Sequence, residues 1–211
     1  MKLVRSLLRR VMSIYRVPRR YINEYASFYR RDFISPHPNL FKMKTLLHFA
    51  DSRGSWLETG TYMGSTTKFL AKRFPMVITI EPSEYFFNHA SSRLQNYNNI
   101  SFLKGTSEDF FEKSLIAVSP RGNLWLDGHY SEGNTYLGNI VTPIEIELLY
   151  VAKHKDKFDS LVVFVDDIRL FPRTDSEDNG YPKFQWLIDW CRDNDFKWEL
   201  QNDILIARLE I

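Results

Sequence analysis

The chain contains a single cysteine, Cys191, so no internal disulfide can form, and no group of cysteines and histidines suggests a zinc site or a haem attachment. No apolar run approaches the roughly 20 residues that a membrane-spanning helix needs. Arg5, Arg9 and Arg10 interrupt the apolar stretch at the start, which argues against a secretory signal peptide. These absences predict a cytoplasmic protein in a reducing environment.

Acidic residues are absent from the first twenty positions, which hold seven of the 28 lysines and arginines. Apolar residues recur there at helical spacing, namely Leu3, Val4, Leu7, Leu8, Val11, Met12 and Tyr15. Such a helix can lie on an anionic surface such as the inner membrane, or pack on the protein with its arginines in water; a targeting peptide is a third option. We predict a basic helical leader over residues 1–38 and a catalytic domain over residues 39–211.

From residue 55 onward, short apolar runs alternate with helical stretches, which is typical of an α/β protein whose parallel sheet is covered on both faces. Strands are predicted at 55–59, 76–81, 100–103, 123–127 and 161–166, and helices at 65–73, 83–95, 108–117, 142–156 and 182–193. Two further strands, 196–201 and 204–209, flank Asn202-Asp203, a pair that suits a tight hairpin. The sequence therefore predicts a mostly parallel seven-stranded sheet with a C-terminal antiparallel hairpin.

A glycine turn follows the first predicted strand, where Glu58, Gly60 and Gly64 form a Glu-x-Gly-x-x-x-Gly pattern. Glycine permits a tight turn and the close approach of a ligand, while Ser65 and Thr66 begin a helix whose first amides face that turn. The acid would repel a pyrophosphate and favour a cationic ligand. This pattern resembles motif I of the class I S-adenosylmethionine-dependent methyltransferases, which implies that the turn, including Tyr62, binds the sulfonium cofactor; a merely structural turn is the alternative.

The second and third strands also end in polar residues. Glu81 lies about twenty residues beyond the first glycine, the distance at which an acid accepts hydrogen bonds from ribose hydroxyls. Ser107 and Glu108 resemble the segment that methyltransferases place against the adenine ring. Alternatively, Glu81 is a solvated strand end, and Ser107 caps the next helix with Glu108 in its first turn.

Three aspartates follow the fourth and fifth strands. Asp127, Asp166 and Asp167 end otherwise apolar runs, and carboxylates at adjacent strand ends repel one another unless a cation or protons intervene. Oxygen ligands of this kind suit Mg²⁺. Alternatively, these acids stand in water or pair with lysine and arginine. His129 is a candidate general base close to Asp127, or else it orients that carboxylate through a hydrogen bond.

The combination resembles the divalent-cation-dependent O-methyltransferases, whose metal lies between acids after the fourth and fifth strands. More narrowly, Asp127-Gly128-His129-Tyr130-Ser131 resembles bacterial methyltransferase-like proteins associated with surface polysaccharide genes, although Glu132 stands where that group has glycine. The resemblance covers residues 54–210 and implies a Rossmann-like methyltransferase fold. It also implies binding of S-adenosylmethionine by the turn, Glu81, Ser107, Glu108 and Asp127, catalysis by His129 and Asp127, and O-methylation of a sugar or polyol hydroxyl.

Other functions remain open at this point. A metal-dependent glycosyltransferase using a nucleotide sugar would explain the paired aspartates, although not Glu58 and the glycine turn. A non-catalytic scaffold at a membrane surface would use the basic leader. An NAD-dependent oxidoreductase ranks last because the glycine spacing differs from the dinucleotide-binding pattern. No nucleic-acid recognition motif is present, so a small-molecule or saccharide acceptor is the predicted partner.

Overall fold

The computed structural model describes residues 19–128, 142–174 and 179–209. Its centre is a single seven-stranded sheet in the order β3-β2-β1-β4-β5-β7-β6. All neighbouring strands are parallel except β7, which runs antiparallel to β5 and β6. The strands are β1 (Ser55–Thr59), β2 (Val77–Glu81), β3 (Ile100–Lys104), β4 (Arg121–Leu126), β5 (Ser160–Val165), β6 (Phe196–Gln201) and β7 (Ile204–Leu209). The predicted mostly parallel sheet is confirmed.

Seven α-helices are present in the described part of the chain: α1 (Arg19–Arg30), α2 (Asn39–Phe49), α3 (Ser65–Ala71), α4 (Glu84–Arg93), α5 (Ser107–Ala117), α6 (Ile144–His154) and α7 (Phe184–Asp193). Short 3₁₀ turns cover Lys155–Lys157 and Ile168–Leu170. The five helices predicted after residue 60 are present, with ends that differ by up to two residues. The sequence pattern did not predict α2, which turns out to contact the candidate site.

Two apolar layers cover the sheet because successive side chains of a strand point to opposite faces. Leu57 belongs to the larger layer, which also contains apolar residues of α5, α6 and α7. Its neighbour Trp56 belongs to the other layer, together with Met43 and Leu46 of α2 and Leu70 of α3. The aromatic rings of Trp56 and Phe164 stack with their centroids 5.5 Å apart. Thus α2 and α3 share the face of the sheet from which Glu58 projects.

The C-terminal hairpin has the predicted bounds, and its turn is the predicted pair. Asn202 and Asp203 have φ angles of 54° and 69°, as a tight hairpin with the favoured twist requires. The side-chain amide of Asn202 donates to Thr45 Oγ1 of α2 at 2.9 Å. The hairpin turn therefore lies against α2 at the edge of the sheet where the parallel strands end.

Helix α1 packs on α2 through a small aromatic cluster. Phe28 is buried, and its ring lies 6.0 Å from that of Phe41 and 4.8 Å from that of His37. The predicted domain boundary at residue 38 stays a prediction, and the amphipathic stretch from Leu3 to Tyr15 lies outside the described residues. Within the three described ranges, every helix is too short or too polar to cross a membrane.

Candidate functional site at the carboxyl edge of the sheet

The glycine turn after β1 requires its glycines. Gly60 has a φ of +85°, and a Cβ atom there would lie 2.5 Å from the carbonyl oxygen of Asp127. Gly64 has a φ of +67° just before α3, and a Cβ atom there would lie 3.0 Å from Leu94 Cδ1. Both positions combine a left-handed backbone with a close approach, which a larger residue tolerates poorly. The turn thus brings the end of β1 directly against the end of β4.

Glu58 lies beneath this turn with a side chain that solvent hardly reaches, since the residue is 1% exposed. Its Oε2 accepts hydrogen bonds from Thr67 Oγ1 of α3 at 2.6 Å and from Thr79 Oγ1 of β2 at 2.8 Å. Its Oε1 is buried without a hydrogen-bond partner among the described residues. Burial raises the pKa of Glu58 to about 8, although the two threonine hydrogen bonds lower it. Glu58 therefore links β1, β2 and α3; its direct contact with a cofactor stays a prediction.

Glu81 at the end of β2 supports the same turn from the other side. Its Oε2 accepts a hydrogen bond from the backbone N–H of Tyr62 at 2.7 Å, and its Oε1 accepts one from that of Ser83 at 2.9 Å. These contacts hold the carboxylate in place, while Tyr62 itself has a φ of 47° and a side chain that points outward. Burial raises the pKa of Glu81, although the two backbone hydrogen bonds oppose the shift. Each oxygen keeps a lone pair with which it can accept a further hydrogen bond.

The residue that caps the helix after β3 is not the one considered in the sequence analysis. Thr106, and not Ser107, caps α5, in a capping box with Asp109. Ser107 is instead the first residue of the helix, and its hydroxyl donates to Glu147 Oε1 of α6 at 2.6 Å. Burial raises the pKa of Glu147 to about 7, against the lowering effect of the Ser107 hydrogen bond. Glu108 is exposed beside this buried pair.

The aspartates after β4 and β5 lie next to each other because both continue the sheet by one residue. The backbone N–H of Asp127 donates to Thr59 O at 3.2 Å, and that of Asp166 donates to Leu126 O at 3.1 Å. Asp167 then adopts a left-handed conformation with φ 53° and ψ 44°. Consecutive side chains of a strand point apart, so this reversal is what lets both Asp166 and Asp167 face the same neighbour.

That neighbour is Lys42 of α2. Its Nζ donates to Asp166 Oδ2 at 2.7 Å and to Asp167 Oδ1 at 2.6 Å, and its side chain is 10% exposed. Arg169 donates to both oxygens of Asp167, at 2.6 Å from Nη1 and 3.1 Å from Nη2, and also pairs with Asp203. The alternative that these acids pair with basic residues is therefore realised for Asp166 and Asp167.

The surroundings nevertheless shift the pKa values of the two neighbouring aspartates in opposite directions. Burial and the carboxylate of Asp127 raise the pKa of Asp166 well above its usual range, and Lys42 offsets only part of that rise. Burial also raises the pKa of Asp167, but Arg169 and Lys42 outweigh that effect and lower the value to about 2. Asp167 is thus ionised, whereas Asp166 lies in a field with an excess of negative charge.

The donor set fits a hard divalent cation. Asp127, Asp166 and Asp167 each offer a carboxylate oxygen, and these oxygens lie within 4.8 Å of one another. Opposite ligands of Mg²⁺ lie about 4.2 Å apart, since each Mg–O distance is about 2.1 Å. The three oxygens are therefore close to the spacing that the ion requires. Asp166 Oδ1 is buried and has no hydrogen-bond partner in the described part of the chain. It is therefore an available ligand, whereas both oxygens of Asp167 already accept hydrogen bonds from cations.

The structure brings most of the predicted site residues to one edge of the sheet. Ser65 and Thr66 lie in the first turn of α3, beside Gly64, and are partly exposed. His129, the candidate base, lies outside the described residues, as do residues 130–141.

Sequence reasoning missed several residues of this edge, namely Lys42, Thr67, Thr79, Glu147 and Asp203. Burial and the carboxylates of Asp167 and Asp127 also raise the pKa of Tyr181, which places its hydroxyl near the cluster. No sequence motif marks these positions, and most of their partners come from distant parts of the chain; Thr67, only nine residues from Glu58, is the exception.

No model of a known protein family matches the chain, and no curated protein matches it. Solved structures do share its architecture. A presumed rRNA methylase from Clostridium thermocellum has a TM-score of 0.54 and 12% identity, covering 81% of this chain and 95% of its own. A presumed methyltransferase from Streptococcus mutans in complex with SAH has a TM-score of 0.53 and 13% identity, covering 83% and 100%. The methyltransferase domain of bacterial CtHen1-CN has a TM-score of 0.53 and 12% identity, covering 82% and 99%. The chain therefore has the predicted Rossmann-like methyltransferase fold.

Proposed function

We propose that this protein is an S-adenosylmethionine-dependent O-methyltransferase that methylates a hydroxyl of a sugar or related polyol with the assistance of Mg²⁺. One observation carries the proposal: a single edge of the sheet holds the glycine turn, the braced carboxylate of Glu81 and the three aspartates. The fold shared with methyltransferases, one of them solved with SAH, supports the choice of cofactor.

The cofactor end of the site consists of the turn and Glu81. Gly60 and Gly64 let the turn pass tightly against Asp127 and Leu94, which keeps its backbone at the edge where a nucleoside would bind. Two backbone N–H groups orient the Glu81 carboxylate, which accepts hydrogen bonds from the ribose hydroxyls. The Ser107 hydroxyl donates a hydrogen bond to Glu147, so its oxygen is left to accept a hydrogen bond from the adenine amino group. Tyr62, Ser65, Thr66, Glu108 and Asp127 complete the proposed cofactor contacts.

The acceptor end consists of the aspartates and His129. A cation held by Asp127, Asp166 and Asp167 would orient the acceptor and lower the pKa of its hydroxyl, which is otherwise near the water value of about 15.7. S-adenosylmethionine held by the turn and Glu81 would supply the methyl group and leave as SAH, and His129 would take the proton of the acceptor hydroxyl. Holding the two reactants in line supplies much of the rate enhancement in such a displacement.

The binding partners that we propose follow from the amino-acid composition. The net charge of +2 and the absence of a nucleic-acid recognition motif favour a saccharide or other small-molecule acceptor. The seven basic residues among the first twenty support a peripheral contact of residues 1–20 with an anionic membrane surface, and a cytoplasmic location facing it.

The first test is calorimetric titration with S-adenosylmethionine and SAH. The wild-type protein should bind both, and Glu81→Gln should bind at least about tenfold more weakly, because a hydrogen bond to a charged group contributes about 1.5–3 kcal/mol. Glu84→Gln is the matched control, since the Glu84 side chain is 73% exposed and should leave affinity unchanged. Failure of the wild-type protein to bind either compound, or stabilisation by a nucleotide sugar instead, contradicts the proposal.

The second arm measures methyl transfer to a panel of sugars and polyols. Asp127→Asn should abolish transfer, because it removes a charged ligand at the acceptor end while keeping the shape of the side chain. Excess chelator should have the same effect on the wild-type protein. Full methyl transfer in the presence of chelator would show that the reaction needs no metal and that the aspartates are structural residues.

A further inference from the structure

A buried lysine already occupies the aspartate cluster. Lys42 projects from α2, and its ammonium group lies within hydrogen-bond distance of Asp166 Oδ2 and Asp167 Oδ1. Burial lowers the pKa of Lys42, but the carboxylates of Asp166 and Asp167 outweigh that effect and raise it above its ordinary value. Two carboxylate oxygens at 2.7 and 2.6 Å favour the charged form of this lysine, so its side chain is an ammonium group. A buried charge of this kind is tolerated only because it is paired.

Packing of the surrounding helix determines where the ammonium group lies. Met43 and Leu46 of α2 belong to the apolar layer on the sheet, and Thr45 accepts a hydrogen bond from Asn202 in the hairpin turn. These contacts hold the backbone of Lys42 close to the end of β5 and the beginning of β7. The lysine is thus part of the folded core and does not belong to a mobile surface.

Lys42 uses the carboxylates that a metal would use. A divalent cation bound to Asp166 and Asp167 would lie about 2.1 Å from their oxygens, within a few ångströms of the Lys42 nitrogen. Like charges at that separation repel strongly in a poorly solvated site. Asp166 Oδ1 remains available, so the site accommodates a cation, but only against this repulsion or after the lysine moves away.

We infer that Lys42 is an internal counter-ion of the aspartate cluster, which keeps Asp166 and Asp167 together without metal and competes with a divalent cation for them. This inference rests on the metal site of the proposed function. Lys42 acts through the aspartates and is therefore a positioning residue. A practical consequence is that the wild-type protein binds divalent cations weakly and stays folded in a chelator.

The test measures the affinity of the full-length protein for Mn²⁺, by calorimetry and by the electron paramagnetic resonance signal of the free ion, without cofactor. Lys42→Met removes the charge and keeps an unbranched side chain of similar length, so it should bind Mn²⁺ at least about tenfold more tightly than the wild-type protein. Lys42→Arg keeps the charge and should resemble the wild-type protein. Lys44→Met, an exposed position on the same helix, is the matched control.

Thermal unfolding provides a second readout. In EDTA, Lys42→Met should melt below the wild-type protein, because its carboxylates have lost a counter-ion, and Mn²⁺ should restore the melting temperature of this variant only. If Lys42→Met does not fold, the same measurements on Lys42→Gln, which lacks the charge but keeps a hydrogen-bond donor, take its place.

The outcomes separate this inference from the proposed function. Equal or weaker binding of Mn²⁺ by the charge-removing variant overturns the role of Lys42, even if the wild-type protein binds S-adenosylmethionine. A gain in Mn²⁺ affinity without any cofactor binding supports the competition and overturns only the methyltransferase proposal.

Discussion

Buried carboxyl groups dominate the candidate site at the scale of single residues. Glu58, Glu81, Glu147 and Asp166 are each almost inaccessible to solvent, and burial raises the pKa of all four. Hydroxyl or backbone groups donate hydrogen bonds to the first three, although Glu58 Oε1 has no partner among the described residues, whereas Asp166 faces an ammonium group. The first three acids thus brace the glycine turn and the adjoining helices, and charge balance matters most at Asp166.

Glu147→Gln should change the pH dependence of stability. The pKa of Glu147 is raised from 4.5 to about 7 in the folded protein, so the folded state holds this proton more tightly than the unfolded state. The stability it contributes is fully present below pH 4.5 and is lost as the pH rises through 7. Between pH 5 and 8, the free energy of unfolding should therefore fall less in Glu147→Gln than in the wild-type protein, by at least about 1.4 kcal/mol, since one pKa unit corresponds to 1.36 kcal/mol.

Urea denaturation at several pH values measures this difference. Glu145→Gln, on the exposed side of the same helical turn, should show the wild-type profile. Glu58 contributes a slope of the same sign, but it is present in all three proteins and cancels in the comparison. Parallel profiles for the wild-type protein and Glu147→Gln would mean that Glu147 is ionised in the folded state.

At the scale of elements, the β6–β7 hairpin does more than close the sheet. Its turn residue Asp203 accepts a hydrogen bond from the backbone N–H of Arg169 at 3.0 Å and pairs with the Arg169 guanidinium. Arg169 in turn holds Asp167, while Asn202 of the same turn contacts α2. The hairpin turn therefore supports the aspartate cluster from outside the parallel strands.

Substitution of Asp203 separates side-chain contacts from backbone strain. Asp203→Ala should lower the free energy of unfolding by about 2 kcal/mol, because hydrogen bonds to charged groups contribute about 1.5–3 kcal/mol. Asp203→Gly loses the same contacts but tolerates the φ of 69°, so it should be more stable than Asp203→Ala by about 1 kcal/mol. Urea titrations of the two variants give the difference directly; an alanine variant as stable as the glycine variant would show that the turn has changed conformation.

At the scale of the whole molecule, helices α1 and α2 precede the methyltransferase-like sheet, and α2 contacts the candidate site at its edge. Helix α1 buries Ile22, Ala26 and Phe28, and Glu24 Oε2 accepts a hydrogen bond from the backbone N–H of Asn39, at the start of α2, at 3.0 Å. Helix α2 then supplies Lys42 to the aspartates. The segment before residue 39 is therefore connected to the site through packing.

Two truncated proteins test this connection. A protein of residues 39–211 should be less stable than one of residues 19–211 by about 3–6 kcal/mol, because burying one large apolar side chain contributes about 1.5–3 kcal/mol and α1 buries two, Ile22 and Phe28. Chemical denaturation of both proteins measures the difference. Equal stability would make residue 38 a true domain boundary, as the sequence predicts, and would leave α1 without a structural role.

The local pattern of the chain predicts the elements well and the contacts poorly. The strands end within two residues of their predicted limits, and the hairpin has the predicted turn, because short apolar runs and turn chemistry are short-range properties. Helix α2 was missed although it covers eleven residues. Its buried face contains Lys42 and Thr45 between the apolar residues, so the pattern that usually marks an amphipathic helix is interrupted.

The sequence by itself determined the order of the elements, the glycine turn and the acids at the strand ends, because each depends on residues within a few positions of one another. Only the tertiary structure decided what those acids contact. Thr67 and Thr79 bind Glu58, Ser107 binds Glu147, and Lys42 reaches Asp166 across 124 residues of sequence. Parallel strands with helical connections bring such distant residues to one edge, and whether a carboxylate there is neutral, paired or open to a cation depends on those neighbours.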